Sequence, residues 1–192
     1  MTHHGLWDAD LPAPPILTDV IVDGNPIKIV VQLTKQAFAF VFDRITGKPI
    51  WPIEERSVPQ SDVPGDRLSP TQPFPTKPAP FDLQGLTIDD LIDFTPELRA
   101  EAIKIVSEYR IGPLYTPPSL KNGPDGKKGT IFVPGNIGGA NWQSGAVDIE
   151  TGILYVTSYT NPAIAALVKS PESDMDFIND NWSLEGPQGL PL

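Results

Sequence analysis

Both histidines of the chain, a tryptophan and two carboxylates crowd into residues 3–10, His3-His4-Gly5-Leu6-Trp7-Asp8-Ala9-Asp10. Histidine beside carboxylate is transition-metal chemistry, and with the amino terminus so near, a Cu(II) or Ni(II) chelate can be drawn. Adjacent side chains on an extended chain point in different directions, however, and no third ligand stands at useful spacing. Asp8 offers something else. A carboxylate next to an indole can sit in a partly dry pocket, where, ionised at neutral pH, it can accept a proton as a general base; the alternative is an ordinary surface or turn aspartate. Lys35, in Gln32-Leu33-Thr34-Lys35-Gln36-Ala37, falls between two strand-like runs, so its ammonium either faces a central cavity and donates to an anionic ligand or caps a solvated strand end. The stretch Gly135-Asn136-Ile137-Gly138-Gly139-Ala140-Asn141-Trp142 is rich enough in glycine for backbone to approach a flat ligand, with Asn141 polar and Trp142 able to stack. It is no phosphate loop, because the Walker spacing and the following helix are both missing, and Gly123–Thr130 lacks that spacing too. Asn181-Trp182-Ser183 matches a glycosylation acceptor, a match too short to carry weight.

These residues need elements to hold them. Ile16–Asp23 and Ile27–Leu33 are apolar, β-branched runs separated by Gly24-Asn25-Pro26, which reads as a hairpin, and Ala37–Asp43 continues the meander. Later in the chain Thr130–Pro134, Ser144–Ile149 and Ile153–Ser158 are predicted strands. The segments that follow Phe42 and Val147 share an Asp, then Thr-Gly three residues on, then an aromatic residue: Asp43-Arg44-Ile45-Thr46-Gly47 leading to Trp51, and Asp148-Ile149-Glu150-Thr151-Gly152 leading to Tyr155. A repeated strand, turn and strand points to a repetitive β architecture with a propeller as the leading candidate; Asp and Gly favouring turns is the simpler alternative.

Proline divides the chain. Its 23 residues in 192 are about 12%, more than twice the usual share, which excludes a mostly helical fold. Thirteen of them lie in residues 52–128, against five before and five after, so 52–128 reads as an insertion between two more regular parts. Within it Thr95 can cap a helix with Pro96 at its first position and Leu98, Ala102, Ile105, Val106 and Tyr109 on one face. Thr87 with Asp90 opens a shorter helix, and Pro70–Pro80 should run extended over a surface. Residues 1–170 then form the body of the fold and 171–192 a polar, loosely ordered tail.

Composition narrows the function further. A net charge of −10 with no basic run argues against nucleic acid as a partner. The absence of cysteine excludes disulfides, thiolate nucleophiles and cysteine-based metal sites. No apolar stretch reaches the ~20 residues of a membrane helix, and no charged start with an apolar core marks a secretory signal.

Taken in order, His3 to Pro15, Lys35, Phe42-Asp43-Arg44 with Thr46-Gly47 and Trp51, Pro59-Gln60, Ser69 to Phe74, Tyr115 to Ser119, Pro134-Gly135-Asn136 and Gly139-Ala140-Asn141-Trp142 resemble the pyrroloquinoline quinone (PQQ)-dependent dehydrogenases, especially the glucose dehydrogenase-like branch. The resemblance spans about residues 3–160. It implies an all-β fold, a fragment of an eight-bladed quinoprotein β-propeller holding PQQ and Ca²⁺ at its axis, with the Asp43–Trp51 turn similar to the motif that locks neighbouring blades. By carry-over Asp8 matches the catalytic aspartate and Lys35 the basic residue beside the quinone oxygens. Asn141 and Trp142 match a loop near the cofactor, and no metal ligand can be assigned. The implied reaction is oxidation of a sugar or alcohol hydroxyl, with ubiquinone or a cytochrome as electron acceptor and a periplasmic, membrane-associated setting. The family's export segment and first blades precede the His-His block, so the chain is expected to be a partial one needing its missing blades and inactive alone; a non-catalytic fragment acting as a structural module is the alternative.

Overall fold

The computed structural model describes residues 2–180 and 183–192; the Asn181-Trp182-Ser183 match falls partly outside them. Strands predominate, with one helix of 12 residues. The first unit is a three-stranded antiparallel sheet in the order β1 (Ile16–Val22), β2 (Asn25–Leu33), β3 (Ala39–Asp43). Its hairpin turn is tighter than expected. Val22 pairs with Asn25, leaving only Asp23 and Gly24 in the loop, at φ of 49° and 81°. Positive φ at both central residues is the mirror-image turn that follows strand twist, and Asp-Gly supplies it. Asn25 and Pro26 therefore open β2, and Pro26 is tolerated because β3 pairs only from Ile29 onward.

A second departure lies inside the proline-rich segment. β4 (Ile53–Ser57) and β5 (Thr71–Pro75) form an antiparallel pair where an extended surface run is expected. Backbone bonds from Thr76 N to Pro52 O (3.0 Å) and from Val58 N to Pro70 O (3.2 Å) bracket the pair. Hydrogen-bonded positions alternate, so Pro73 and Pro75 fall where no amide is needed.

A 3₁₀ turn at Ile88–Asp90 follows, with Thr87 N and Oγ1 both donating to Asp90 Oδ2, so the shorter helix amounts to one turn. The helix α1 (Pro96–Ser107) starts where expected, the Leu98 amide donating to the Thr95 hydroxyl at 3.2 Å, and buries Ala102 and Val106. Short strands β6 (Ser119–Leu120), β7 (Thr130–Phe132), β8 (Gly145–Val147) and β9 (Leu154–Val156) lead to β10 (Ala163–Val168) and β11 (Ile178–Asn179). β8 and β9 make a hairpin, whereas β10 is the hub of its sheet: β7 and β11 pair with it antiparallel and β6 parallel. Leu184 and Leu192 pack on the cluster that α1 forms with β7 and β10.

The two Asp-x-x-Thr-Gly turns are the same object. Asp43 Oδ1 accepts from the amides of Ile45 (2.7 Å) and Thr46 (2.9 Å), and Asp148 Oδ1 from those of Glu150 (2.9 Å) and Thr151 (3.5 Å). Gly47 and Gly152 both stand at φ 71° and donate to the carbonyl of their aspartate at 2.8 Å. The sequence repeat is thus a structural repeat.

Period-2 alternation puts the two faces of β3 into different cores. Ala39 and Val41 join Ile29, Val31 and Leu33, with Trp51 and Leu154 against them. Phe38 and Phe40 point the other way, toward Tyr115, Phe74 and Trp7. That second, aromatic core supports the site.

Candidate functional site

The N-terminal segment is pinned before it reaches Asp8. Gln72, fully buried on β5, accepts from the His3 amide at 2.8 Å and donates to the His3 carbonyl at 2.6 Å. The His3 ring is engaged with Glu55 Oε1 at 2.8 Å, so it is a surface partner of β4, and the pairing holds the Glu55 carboxyl below its usual range. Among the described residues no three His, Asp or Glu side chains gather as a metal site. Four residues on, Trp7 Nε1 donates to the Thr116 carbonyl at 2.9 Å, and its ring lies 5.0 Å from that of Tyr115. A γ-type turn, Ala9 N to Trp7 O at 2.9 Å, then bends the chain around Asp8.

Tyr115 continues the wall. Its ring meets Phe74 at 5.6 Å and Phe74 meets Phe38 at 5.5 Å, both edge to face, an arrangement that aromatic quadrupoles favour. Burial pushes the Tyr115 phenol up to about 12, so it stays neutral at physiological pH. Tyr115 and Ala37 both hold left-handed backbone, φ 69° and 66°, conformations that cost a non-glycine residue of order 1 kcal/mol each and are kept by what surrounds them.

Lys35 sits in the five-residue connection from β2 to β3, all of it buried. The loop closes on itself through Thr34 N to Phe38 O and Ala37 N to Thr34 O. Its outward carbonyls are taken by neighbours: Lys35 O by the Gly139 amide, Gln36 O by Gln84 Nε2, and Ala37 O by the Phe81 amide. A buried loop is stable only when its polar groups are paired, as these carbonyls are. The Lys35 side chain is 9% exposed and its ammonium meets Asp8 Oδ2 at 3.1 Å and Asp10 Oδ1 at 2.5 Å. Burial alone would pull the Lys35 amine down, but the hydrogen bonds to Asp10 and Asp8 outweigh it and raise it above its ordinary value. The same bond to Lys35 lowers the Asp10 carboxyl. Beside the pair is a cavity of about 30 Å³, room for one water, walled by Trp7, Leu114, Tyr115, Phe132 and Gly135.

The structure therefore brings Asp8 and Lys35 together. Asn141 and Trp142 lie elsewhere on the same assembly. The Gly-rich stretch they end packs on the Lys35 loop through Gly138 and Gly139, so the close approach those glycines permit is to Lys35 and Ala37. Asn141 Nδ2 donates to the Ile137 carbonyl at 2.7 Å and its Oδ1 accepts from the Trp142 amide, while the Trp142 indole is 84% exposed; neither side chain lines the cavity. Asp10, to which the sequence gives no role of its own, joins Asp8 and Lys35; the signal for it is Asp-Ala-Asp, which places two carboxylates on one side of an extended chain.

The family model described as PQQ: Glucose/ethanol/alcohol dehydrogenase, beta-propeller domain, matches residues 1–189. The quinoprotein glucose dehydrogenase of Gluconobacter oxydans (strain 621H) is 34% identical over 98% of this chain and 23% of its own length. The glycerol dehydrogenase large subunit of the same organism is 34% identical over 90% of the chain and 23% of its length. The quinate/shikimate dehydrogenase (quinone) of Acinetobacter baylyi is 32% identical over 90% and 21% respectively. A solved quinohemoprotein alcohol dehydrogenase of Pseudomonas putida HK5 superposes with a TM-score of 0.43 at 21% identity, covering 89% of this chain and 19% of that one. The chain thus spans less than a quarter of the length of these relatives.

Proposed function

The chain belongs to the PQQ glucose/ethanol/alcohol dehydrogenase family as part of its β-propeller domain, and on that premise we propose that it is the segment of a quinoprotein dehydrogenase that carries the catalytic base. The supporting observation is the Asp8 carboxylate held 3.1 Å from a lysine ammonium that is 9% exposed. In this reading Asp8 takes the hydroxyl proton of a sugar or alcohol as the substrate becomes a carbonyl compound. PQQ, when bound, supplies the electrophilic carbonyl that accepts the hydride. The chain's donor set suits such a planar polyanion at one edge: Lys35 is a fixed, nearly dry cation, and a charge-assisted bond from it to a quinone oxygen gains strength from the low dielectric. The cavity holds only about one water, so cofactor and substrate would meet at its mouth, where the Asp8 side chain is 49% exposed. Trp7 and Tyr115 wall its inner side. Asn141 and Trp142 are proposed as further cofactor contacts, the exposed indole as a stacking face.

The finer parts of the proposal have two sources: eight blades, ubiquinone or a cytochrome as acceptor and a periplasmic, membrane-associated setting come from the family resemblance, whereas residues 1–170 as the propeller body with 52–128 inserted and 171–192 as a tail come from the distribution of proline and polar residues. Calcium is proposed alongside PQQ, and since no three His, Asp or Glu side chains gather among the described residues, no ligand is assigned to it. In the enzyme assembled with the rest of its propeller, Asp8→Asn should keep PQQ binding and lower dye-linked turnover about 10²- to 10⁴-fold, the usual contribution of a positioned base. Lys35→Met should weaken PQQ binding itself. Unchanged turnover in Asp8→Asn would remove Asp8 from the chemistry, and unchanged PQQ affinity in Lys35→Met would remove Lys35 from the cofactor site.

A further inference from the structure

A base that shares its only cation with no other carboxylate faces a conflict. When it takes a proton, the buried ammonium beside it loses its counter-charge. Leaving a buried charge unpaired is among the costlier events in a protein interior, so proton uptake by the base would be opposed by its own partner. In this structure the conflict is relieved. The Lys35 ammonium has three N–H donors and spends two of them on carboxylates, Asp10 Oδ1 at 2.5 Å and Asp8 Oδ2 at 3.1 Å. The shorter bond is to Asp10, the more exposed of the two acids at 60% against 49%. No other titratable side chain lines the cavity apart from Tyr115, which is neutral.

We infer that Asp10 is the positioning residue of the site: it fixes the Lys35 ammonium and supplies its standing counter-charge, so that Asp8 can gain and lose a proton without uncoupling Lys35. The inference rests on the proposed function for the role of Asp8, but the Asp10–Lys35 relationship is a property of the chain alone. Geometry supports a division of labour. Asp8 is bent by its γ-type turn next to the anchored Trp7, whereas Asp10 lies past the bend, ahead of Ala13, which is buried against the β1–β3 core. The Lys35 stem is backed by Gly138, which lies so near that a Cβ built there would fall 2.4 Å from the Cβ and Cγ of the lysine. With the stem fixed, whichever carboxylate bonds the head more closely decides where the ammonium points.

The test uses the 192-residue chain and competitive acylation of its lysines, with the Lys35 rate read by peptide mass spectrometry at pH 8.5 against Lys28 and Lys48 as internal references. Acylation consumes the free amine, so loss of the bond that keeps Lys35 charged raises its rate. Asp10→Asn, isosteric and at an exposed position, should raise it by about threefold to tenfold, since it removes a bond that favours the charged form. Asp8→Asn should raise it less, and Asp10→Glu should restore the slow rate. A circular dichroism spectrum matching the wild type excludes unfolding as the cause. An equal or larger effect from Asp8→Asn, or no effect from Asp10→Asn in a folded chain, overturns the inference. If the assembled enzyme then fails to bind PQQ while Asp10→Asn still frees Lys35, the proposed function falls and the Asp10–Lys35 assignment stands.

Discussion

Gly138 lies against Lys35 so closely that a Cβ built on it would fall 2.4 Å from both Cβ and Cγ of the lysine, and Gly138 itself stands at φ 83°. Two constraints thus meet at one residue: a left-handed backbone and no space for a methyl group. Gly138→Ala should cost about 2 kcal/mol or more in urea unfolding and, by pushing the lysine stem, raise the acylation rate of Lys35. Wild-type stability with an unaltered Lys35 rate would show that the loop gives way more easily than its packing implies.

Arg110 ties two loops of the proline-rich segment together. Its guanidinium donates to both carboxylate oxygens of Asp62 at 2.9 and 2.8 Å and to Asp125 at 2.7 Å, which raises its own proton affinity and holds both acids below their usual range. A planar fork makes these bonds at once and an ammonium cannot. Arg110→Lys should therefore lose about 1 kcal/mol despite keeping the charge, most of it at low salt, because the network is partly exposed. Equal melting temperatures for the two proteins at low salt would reduce the staple to a surface contact.

What could be read from the chain divides along the locality of the forces. The Asp43 and Asp148 turns and the Thr95 cap are legible because every donor and acceptor lies within a few residues. β10 is not: Ala-Ile-Ala-Ala-Leu-Val has no alternation and much alanine, and it is a strand because β6, β7 and β11 converge on it from elsewhere in the chain. β4 and β5 hid behind Pro73 and Pro75, whose rings signal an unpaired run unless the alternation of hydrogen-bonded positions is known. The Asp8–Lys35 pair came through the family resemblance, since no spacing rule joins an N-terminal segment to a β2–β3 connection. The role of Asp10 is not legible because its partner is one of several lysines, and only the fold says which.

The repeated turns contribute to the acid sensitivity of the fold. In the folded chain the Asp43 carboxyl is lowered chiefly by the amides of Thr46 and Ile45, and that of Asp148 chiefly by the amide of Glu150. A carboxyl lowered on folding adds stability that is fully present above its unfolded value, near 3.9, and is lost as pH falls through the folded value. Melting temperature followed by circular dichroism should hold from pH 7 to 5 and drop below about pH 4. The Asp43→Ala, Asp148→Ala double variant should melt lower at pH 7, and the difference should shrink as pH falls through the lowered folded values of the two carboxyls. Parallel curves for the two proteins across that range would mean that the turns are not what titrates.

Gln72 controls where the N-terminal segment lies, and so where Asp8 lies, from a position that touches neither Asp8 nor Lys35. Its amide closes a two-point ring with the His3 backbone, accepting at 2.8 Å and donating at 2.6 Å, at a fully buried site on β5. Gln72→Leu keeps the approximate volume but removes both partners, leaving an amide and a carbonyl of His3 to be satisfied by water that the packed residue excludes. An unmet buried group costs about 1–3 kcal/mol, and the cheapest escape is for the segment to lift off the β4–β5 hairpin. Glu55→Gln touches only exposed contacts, those of Glu55 with the His3 ring at 2.8 Å and with the Thr71 hydroxyl at 2.7 Å, and surface ion pairs contribute little. The two variants should therefore separate. Gln72→Leu should open residues 3–10 to limited proteolysis and, in the assembled enzyme, depress turnover more than it depresses global stability, because Trp7 and Asp8 lose their anchor while the β1–β3 core is untouched. Glu55→Gln should change neither by more than about twofold. Equal proteolysis of the segment in wild type and Gln72→Leu would show that Trp7, through Thr116 and Tyr115, is sufficient to hold Asp8 in place.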